Sequence, residues 1–126
     1  MHKGILKTGI FFCIMSVVLG AFATHGLKDR LSNSSLIIFE TGIRYQFYHS
    51  FALLITAMLY KEYQNYYIIH SARFFIAGII LFSGSLYLLA MLLPAFTFVG
   101  IITPLGGISF IMGWFMLFRA IRKKVN

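Results

Sequence analysis

Hydrophobic residues fall into four long runs, which short polar segments separate. The runs cover approximately residues 4–24, 36–60, 71–93 and 98–118. Each run holds close to the ~20 apolar residues that a helix needs to cross a bilayer. Lipid offers an exposed backbone no hydrogen-bond partners, and four segments cannot close a barrel, so every run is predicted to be helical. The pattern therefore predicts an all-α membrane protein, a single antiparallel bundle of four transmembrane helices within residues 1–126.

The connections between the runs add detail to this bundle. Pro94 closes the third run and only a few residues precede the fourth, so these two runs are predicted to form a tight antiparallel hairpin. The first connection, residues 25–35, is longer and polar. Asn33, Ser34 or Ser35 would each serve as an amino-terminal cap for the second helix.

Composition argues against a soluble protein. The chain has 60% hydrophobic and only 11% charged residues, whereas soluble domains carry about 25% charged residues. Its formal net charge of +8 would suit a nucleic-acid partner. The Lys and Arg residues lie mainly at the ends of apolar runs instead of along one face, however, so no nucleic-acid partner is expected.

The distribution of basic residues predicts an orientation in the membrane. Four spans place both termini on the same side, and most of the basic residues share that side: Lys3, Lys7, Lys61, Arg73, Arg119, Arg122, Lys123 and Lys124. The connection between the first two runs offers Lys28 and Arg30. Because positive charge accumulates on cytoplasmic loops, both termini are predicted to be cytoplasmic.

The second run contains ionisable residues that a membrane span rarely holds. Counting back about 20 residues from Tyr60 as the inner boundary puts Glu40 at the outer edge, Arg44 one turn inside and His49 near the midplane. A charge at the centre costs about 2.5–3.5 kcal/mol, so these side chains should face protein or water. Glu40 and Arg44 are spaced i, i+4 and are predicted to pair. The predicted polar binding cluster comprises His25, Glu40, Arg44, Tyr45, Gln46, Tyr48 and His49.

This cluster supports two hypotheses about function. In the first, it either locks the bundle together or binds a lipid headgroup or a partner segment at the outer leaflet. In the second, the protein is a small oligomeric transporter or permeation unit, and a water-filled path from Glu40 past His49 would favour it. Membrane lipids are the expected partners, with a homo-oligomer or another membrane protein as the alternative.

Sequence motifs give little support for catalysis. The sequence has no HExxH motif, no Walker loop, no cysteine cluster and no Ser-His-Asp order in a recognisable context, so we do not expect an enzyme. A lipid-modifying enzyme is the third hypothesis, because His25, Glu40 and Tyr45 carry acid–base groups. His25 and His49 differ in predicted depth by about 13 Å, so we expect no metal, haem or other cofactor. The single cysteine, Cys13, is interpreted as a packing residue.

The fourth run contains a candidate helix break at Pro104, Gly106 and Gly107. Proline removes a backbone hydrogen bond and paired glycines allow bends, so the helix is predicted to kink or begin anew there. A broken helix can expose backbone groups to a substrate, but the sequence shows only one such break, so a packing kink is the preferred interpretation. Small residues are predicted to allow close helix contacts at Ser16, Gly20, Gly78, Ser85, Gly106 and Gly113.

Four segments carry a resemblance to a known family. They are residues 20–27 (GAFATHGL), 39–49 (FETGIRYQFYH), 83–90 (SGSLYLLA) and 102–107 (ITPLGG). In this order they resemble the YgdD-like family of small, uncharacterised bacterial inner-membrane proteins, relatives of vertebrate transmembrane protein 256. The sequence departs at Ala23-Thr24, where relatives tend to carry Gly-Ala before the histidine. The resemblance implies a multi-pass protein of the bacterial plasma (inner) membrane with four spans, and it implies no established activity.

Overall fold

The computed structural model describes residues 1–92 and 97–122, and all regular secondary structure in that part is helical. It has four long helices there: α1, Lys3–Leu27; α2, Asn33–Leu59; α3, Tyr66–Leu92; and α4, Ile102–Arg122. A short 3₁₀ helix, Thr97–Ile101, leads into α4. The predicted all-α fold with four helices is therefore confirmed.

Three of the helical stretches are long and apolar enough to cross a membrane. They are Lys3–Leu27, Tyr66–Leu92 and Phe98–Arg122. The helix α2 is also long, at 27 residues, but its polar residues keep it out of this group. Length and composition alone thus support three membrane spans, and the position of α2 has to be argued from its neighbours.

Capping side chains set where two helices begin. Ser32 Oγ accepts a hydrogen bond from the Ser35 backbone N–H at 3.2 Å, so the cap of α2 lies one residue before the three predicted candidates. Asn65 Oδ1 accepts from the N–H groups of Tyr67 and Ile68 at 3.1 and 3.3 Å. Because this cap lies in the loop after α2, α3 begins at residue 66 instead of residue 71 as predicted.

Successive helices pack antiparallel, with α1 against α2, α2 against α3 and α3 against α4. At the start of α1, the His2 backbone N–H donates to the Ala57 carbonyl near the end of α2 at 3.0 Å. Two turns further along α1, Gly9 lies against Leu53 and Leu54 of α2. The helix α2 therefore lies between α1 and α3, and it forms much of the interior.

The predicted antiparallel pairing of α3 with α4 is present. Ser71 Oγ on α3 donates to the Gly113 carbonyl at 2.8 Å, and Ser109 Oγ on α4 donates to the Phe74 carbonyl at 2.7 Å. On each helix, one backbone carbonyl thus accepts a hydrogen bond from a serine of the other helix. The predicted role of Pro94 lies outside the described residues.

Two π-helical segments depart from regular α-helix. One, Ala23–Leu27, ends α1, and the other, Ile79–Ser83, interrupts α3. Within the second segment Ser83 Oγ donates to the Gly42 carbonyl of α2 at 2.6 Å. Such bulges carry no clear signature in the sequence, and nothing predicted them here.

The residues of the candidate break lie at the beginning of α4 and not in its middle. The α-helix begins at Ile102, so Pro104 occupies the first turn, where a backbone N–H has no partner within the helix. The helix thus begins anew beside Pro104 and continues past it. Gly106 has a separate role, because a Cβ atom there would overlap the backbone of Phe82 in the π segment of α3.

Most of the predicted small residues do mark close contacts. A Cβ atom at Gly113 would lie 2.6 Å from the Phe75 ring, and one at Gly78 would overlap the Phe110 ring. Gly20 differs, since nothing else in the described part of the chain lies within 4 Å of the position of its Cβ. The predicted packing role of Gly20 is therefore wrong.

We expect Gly106→Ala to destabilise the protein and Gly107→Ala to leave it unchanged or slightly more stable. The added methyl at Gly106 meets rigid backbone, and overpacking of this kind costs about 1–3 kcal/mol. At Gly107 it would lie 3.9 Å from the Phe82 ring, an ordinary contact, and alanine gains up to about 1 kcal/mol in helix propensity. Thermal unfolding of both variants in detergent measures the difference, and equal melting temperatures would contradict this packing.

Candidate functional site

The predicted polar cluster divides between two faces of α2. Gln46 and His49 are buried, with 3% and 6% of their surface exposed. Glu40, Arg44 and Tyr48 are exposed on the opposite side. Glu40 and His49 are nine residues apart, which at about 100° per residue places them on opposite faces of the helix. The residues predicted as one cluster therefore form an interior set and an exterior set.

Two further members lie apart from both sets. His25 is exposed within the π segment of α1. The Tyr45 ring lies 4.6 Å from the Phe82 ring and also stacks on Phe110, so it points toward α3 and α4. The acid–base groups of His25, Glu40 and Tyr45 thus sit on different surfaces.

Gln46 connects three helices through its side-chain amide. Its Nε2 donates to the Phe12 carbonyl of α1 at 3.1 Å, and its Oε1 accepts from the Tyr87 hydroxyl of α3 at 2.7 Å. The amide group therefore has a partner on each side, as a buried polar group requires. Tyr87 was not among the predicted site residues, because only the packing of α2 on α3 brings its hydroxyl to Gln46.

His49 connects α2 to α4. The Trp114 indole Nε1 donates to His49 Nε2 at 3.1 Å, and an indole N–H can only donate. The imidazole is therefore neutral with its proton on Nδ1, which donates to the Tyr45 carbonyl at 2.7 Å. The ring also stacks on Phe110, with 3.5 Å between ring centres. With both nitrogens engaged, His49 serves as a fixed interior link, and neither nitrogen is free to bind a metal.

Arg44 lies at the surface and does not pair with Glu40. Its Nη2 donates to Thr41 Oγ1 at 3.1 Å, so the side chain turns toward the amino-terminal end of α2. Within residues 1–92 and 97–122, no ion pair joins Arg44 to Glu40, which corrects the pairing predicted from their spacing. The guanidinium instead takes a partner one turn back on its own helix, the hydroxyl of Thr41. Its predicted depth had led us to expect that other helices would shield Arg44, but the side chain is exposed.

An exposed stripe runs along the whole of α2 on the side away from its helix contacts. Its polar residues, Glu40, Arg44 and Tyr48, lie toward the amino-terminal end of α2, and the part toward the carboxyl-terminal end is apolar. The stripe consists of Ile37, Glu40, Arg44, Tyr48, Phe51, Ile55 and Met58, which recur every three or four residues.

Two adjoining grooves follow this stripe between α1 and α2. One, here called the outer groove because it lies nearer the amino-terminal end of α2, has a volume of about 240 Å³ and is lined by Ser16, Val17, Ile43, Arg44, Phe47 and Tyr48. The inner groove has a volume of about 390 Å³ and is lined by Cys13, Ile14, Val17, Val18, Phe47 and Phe51. They meet at Val17 and Phe47. Together they form one continuous groove on the protein surface, here called the α1–α2 groove. The Arg44 guanidinium lies at one end of it, and apolar side chains line the rest.

Comparisons with known proteins give a consistent result. The family model described as "Protein of unknown function (DUF423)" matches residues 19–107. The UPF0382 membrane protein YwdK of Bacillus subtilis is 37% identical over 91% of this chain and 93% of its own length. A UPF0382 membrane protein of Haemophilus influenzae is 42% identical over 85% and 82%, and the UPF0382 inner membrane protein YgdD of Escherichia coli is 40% identical over 86% and 82%. No solved structure matches the chain.

These matches confirm the resemblance predicted from the four sequence segments. They also agree with the predicted location, since the relatives are named as membrane or inner membrane proteins and the chain has helices apolar enough to cross a membrane. The protein is therefore located in the bacterial plasma membrane. The chain belongs to the DUF423 family of UPF0382 membrane proteins, for which no function is known.

Proposed function

We propose that the chain is a non-enzymatic four-span membrane protein that binds a membrane-embedded ligand on the exposed face of α2. One observation carries this proposal: Glu40, Arg44 and Tyr48 face outward, whereas Gln46 and His49 are hydrogen-bonded inside. Polar groups that stabilise a bundle are expected to point inward. The exterior set therefore needs a different explanation, and recognition of a ligand supplies one.

The position of α2 supports four spans with both termini in the cytoplasm. The helix lies between α1 and α3, two candidate spans, and buries Ala52, Leu53 and Ala57 in the core. Its 27 residues correspond to about 40 Å, enough to cross a hydrocarbon core of about 30 Å. With α2 in the membrane, the positive-inside rule places the two termini and the α2–α3 loop in the cytoplasm.

The cost of an exposed guanidinium supports ligand binding. Arginine within a span costs about 2.5–3.5 kcal/mol at the centre, and snorkelling toward water lowers this cost. The bond from Arg44 to Thr41 directs the side chain toward the amino-terminal end of α2, which is the nearer water boundary. A ligand anion at that level would offset the remaining cost and satisfy the other guanidinium N–H groups.

Permeation, the alternative function, has less support. A path lined by both Glu40 and His49 would have to pass through α2, because the two residues lie on opposite faces of that helix. Both His49 nitrogens are already engaged, and the ring is stacked on Phe110. Binding at the surface requires no such path.

Site-directed labelling tests the proposed topology. In a Cys13→Ser background, we expect Asp29→Cys to react with a membrane-impermeant maleimide on intact cells. Gln64→Cys should react only after the membrane is permeabilised, because a membrane-spanning α2 places the two loops on opposite sides of the membrane. Equal labelling of both positions from outside would mean that α2 does not cross the membrane.

The interior set is expected to control stability. Gln46→Leu leaves the Tyr87 hydroxyl without its acceptor and should cost about 1–3 kcal/mol. Adding Tyr87→Phe should recover part of that loss, because both polar partners are then removed. Arg44→Gln serves as the exterior control and should melt close to the wild type. A double-mutant cycle by thermal unfolding in detergent measures the coupling, and additive losses would show that the bond contributes nothing.

The exterior set is expected to control binding. We expect native mass spectrometry of gently extracted wild-type protein to detect an added mass, either a lipid or a second chain. Arg44→Gln should lose this mass while keeping its melting temperature, since Arg44 is exposed and its one hydrogen bond within the described residues is to Thr41. If the wild type and the variant carry the same adducts, binding at this face is refuted.

A further inference from the structure

We propose that the ligand of the α1–α2 groove is an aminophospholipid of the phosphatidylethanolamine class. In this assignment Arg44 binds the phosphate, Glu40 binds the ammonium group, and one acyl chain lies along the groove. The inference rests on the proposed function and names its ligand.

The order of charges along α2 matches this headgroup. Arg44 is the deeper residue, and Glu40 lies one turn closer to water, about 6 Å along the helix. In phosphatidylethanolamine the phosphate is nearer the acyl chains and the ammonium group is further out. The deeper Arg44 cation therefore lies at the level of the phosphate anion, and the Glu40 anion lies at the level of the ammonium cation. This match depends only on the depth of each residue, so it holds whichever leaflet the site faces.

The two side chains have the capacity for these bonds. Arg44 uses Nη2 on Thr41, and its planar guanidinium has further N–H donors that suit phosphate oxygens. Tyr48 lines the same groove, and its hydroxyl can donate a further hydrogen bond to the phosphate. Glu40 is exposed and forms no ion pair with Arg44, so its carboxylate can accept from a primary ammonium. The unpaired state of Glu40 and Arg44, which the sequence did not predict, is what makes both ends available.

The apolar part of the groove suits an alkyl chain. It extends from Arg44 to Phe51 on α2, seven residues or about 10 Å, and its walls are Val17, Phe47 and their apolar neighbours. An acyl chain is equally apolar in the groove and in bulk lipid, so the chain adds little preference of its own. The headgroup charges therefore decide which lipid is retained.

A second copy of the protein fits this surface less well. Two α2 stripes could bring Glu40 of one chain near Arg44 of the other. A helix about 10 Å wide would rest on the exposed stripe, however, and would leave the groove beside Val17 and Phe47 unfilled. A lipid accounts for the charges and the groove together.

Lipid competition tests the assignment. The full-length protein is equilibrated with vesicles that contain equal amounts of phosphatidylethanolamine and phosphatidylglycerol, and retained lipid is identified by native mass spectrometry. We expect the wild type to prefer phosphatidylethanolamine by about tenfold, the factor typical of one charge-assisted hydrogen bond. Glu40→Gln should remove the preference but keep phosphatidylglycerol bound, and Arg44→Gln should lose both lipids. Lys61→Gln removes an exposed cation outside the groove and should behave as the wild type.

Cys13 gives a second measurement within the groove. It is the single cysteine and lines the inner part, so a bound acyl chain should shield it from maleimide. Alkylation in detergent should slow several-fold when phosphatidylethanolamine is added to the wild type, and it should not change for Arg44→Gln. Melting temperatures equal to that of the wild type establish that each variant is folded.

The outcomes separate the two proposals. An Arg44-dependent adduct with the mass of a second chain overturns the lipid assignment and leaves binding at this face intact. Equal retention of both lipids, unaffected by Glu40→Gln, overturns the headgroup assignment. The absence of every Arg44-dependent adduct overturns the proposed function itself.

Discussion

The Gln46 amide is the interaction on which the arrangement of the bundle depends. It lies in α2 and contacts a carbonyl of α1 and a hydroxyl of α3, so one side chain sets the relative position of three helices. His49, one turn further along the interior, adds α4 through Trp114. Away from water, each of these groups needs a hydrogen-bond partner within the protein. Burying a polar group without one costs roughly 2–7 kcal/mol, depending on the reference state used for the transfer. The polar interior therefore specifies one packing among the many that apolar side chains would permit.

Once this packing is set, it determines which residues remain on the outside. Turning Gln46 and His49 inward carries Glu40 and Arg44 to the exposed stripe, since the four residues are spread around one helix. The interior set and the exterior set are thus two consequences of the same rotation of α2. This relation explains how a helix rich in polar residues can have hydrogen-bonded groups in the interior and still leave charged side chains exposed.

Part of the structure was predictable from local sequence. The apolar runs indicated four helices, and the small residues Gly78, Gly106 and Gly113 indicated close helix contacts. Helix boundaries were less accurate, because the caps Ser32 and Asn65 lie in the polar connections, where several residues compete for the same role. The π segments were not predictable, because π-bulges carry no clear local sequence signature; in one of them Ser83 also donates to the Gly42 carbonyl of another helix.

By itself the sequence determined the helical class, the membrane location and the family, because these follow from the length and polarity of continuous segments. It also indicated that residues 40–49 matter. Only the tertiary structure decided that Arg44 faces outward beside a groove, that Glu40 does not neutralise it, and that Trp114 and Tyr87 complete the interior. The physical reason is that polar residues surround α2 on every side, so its orientation depends on which faces the other three helices cover.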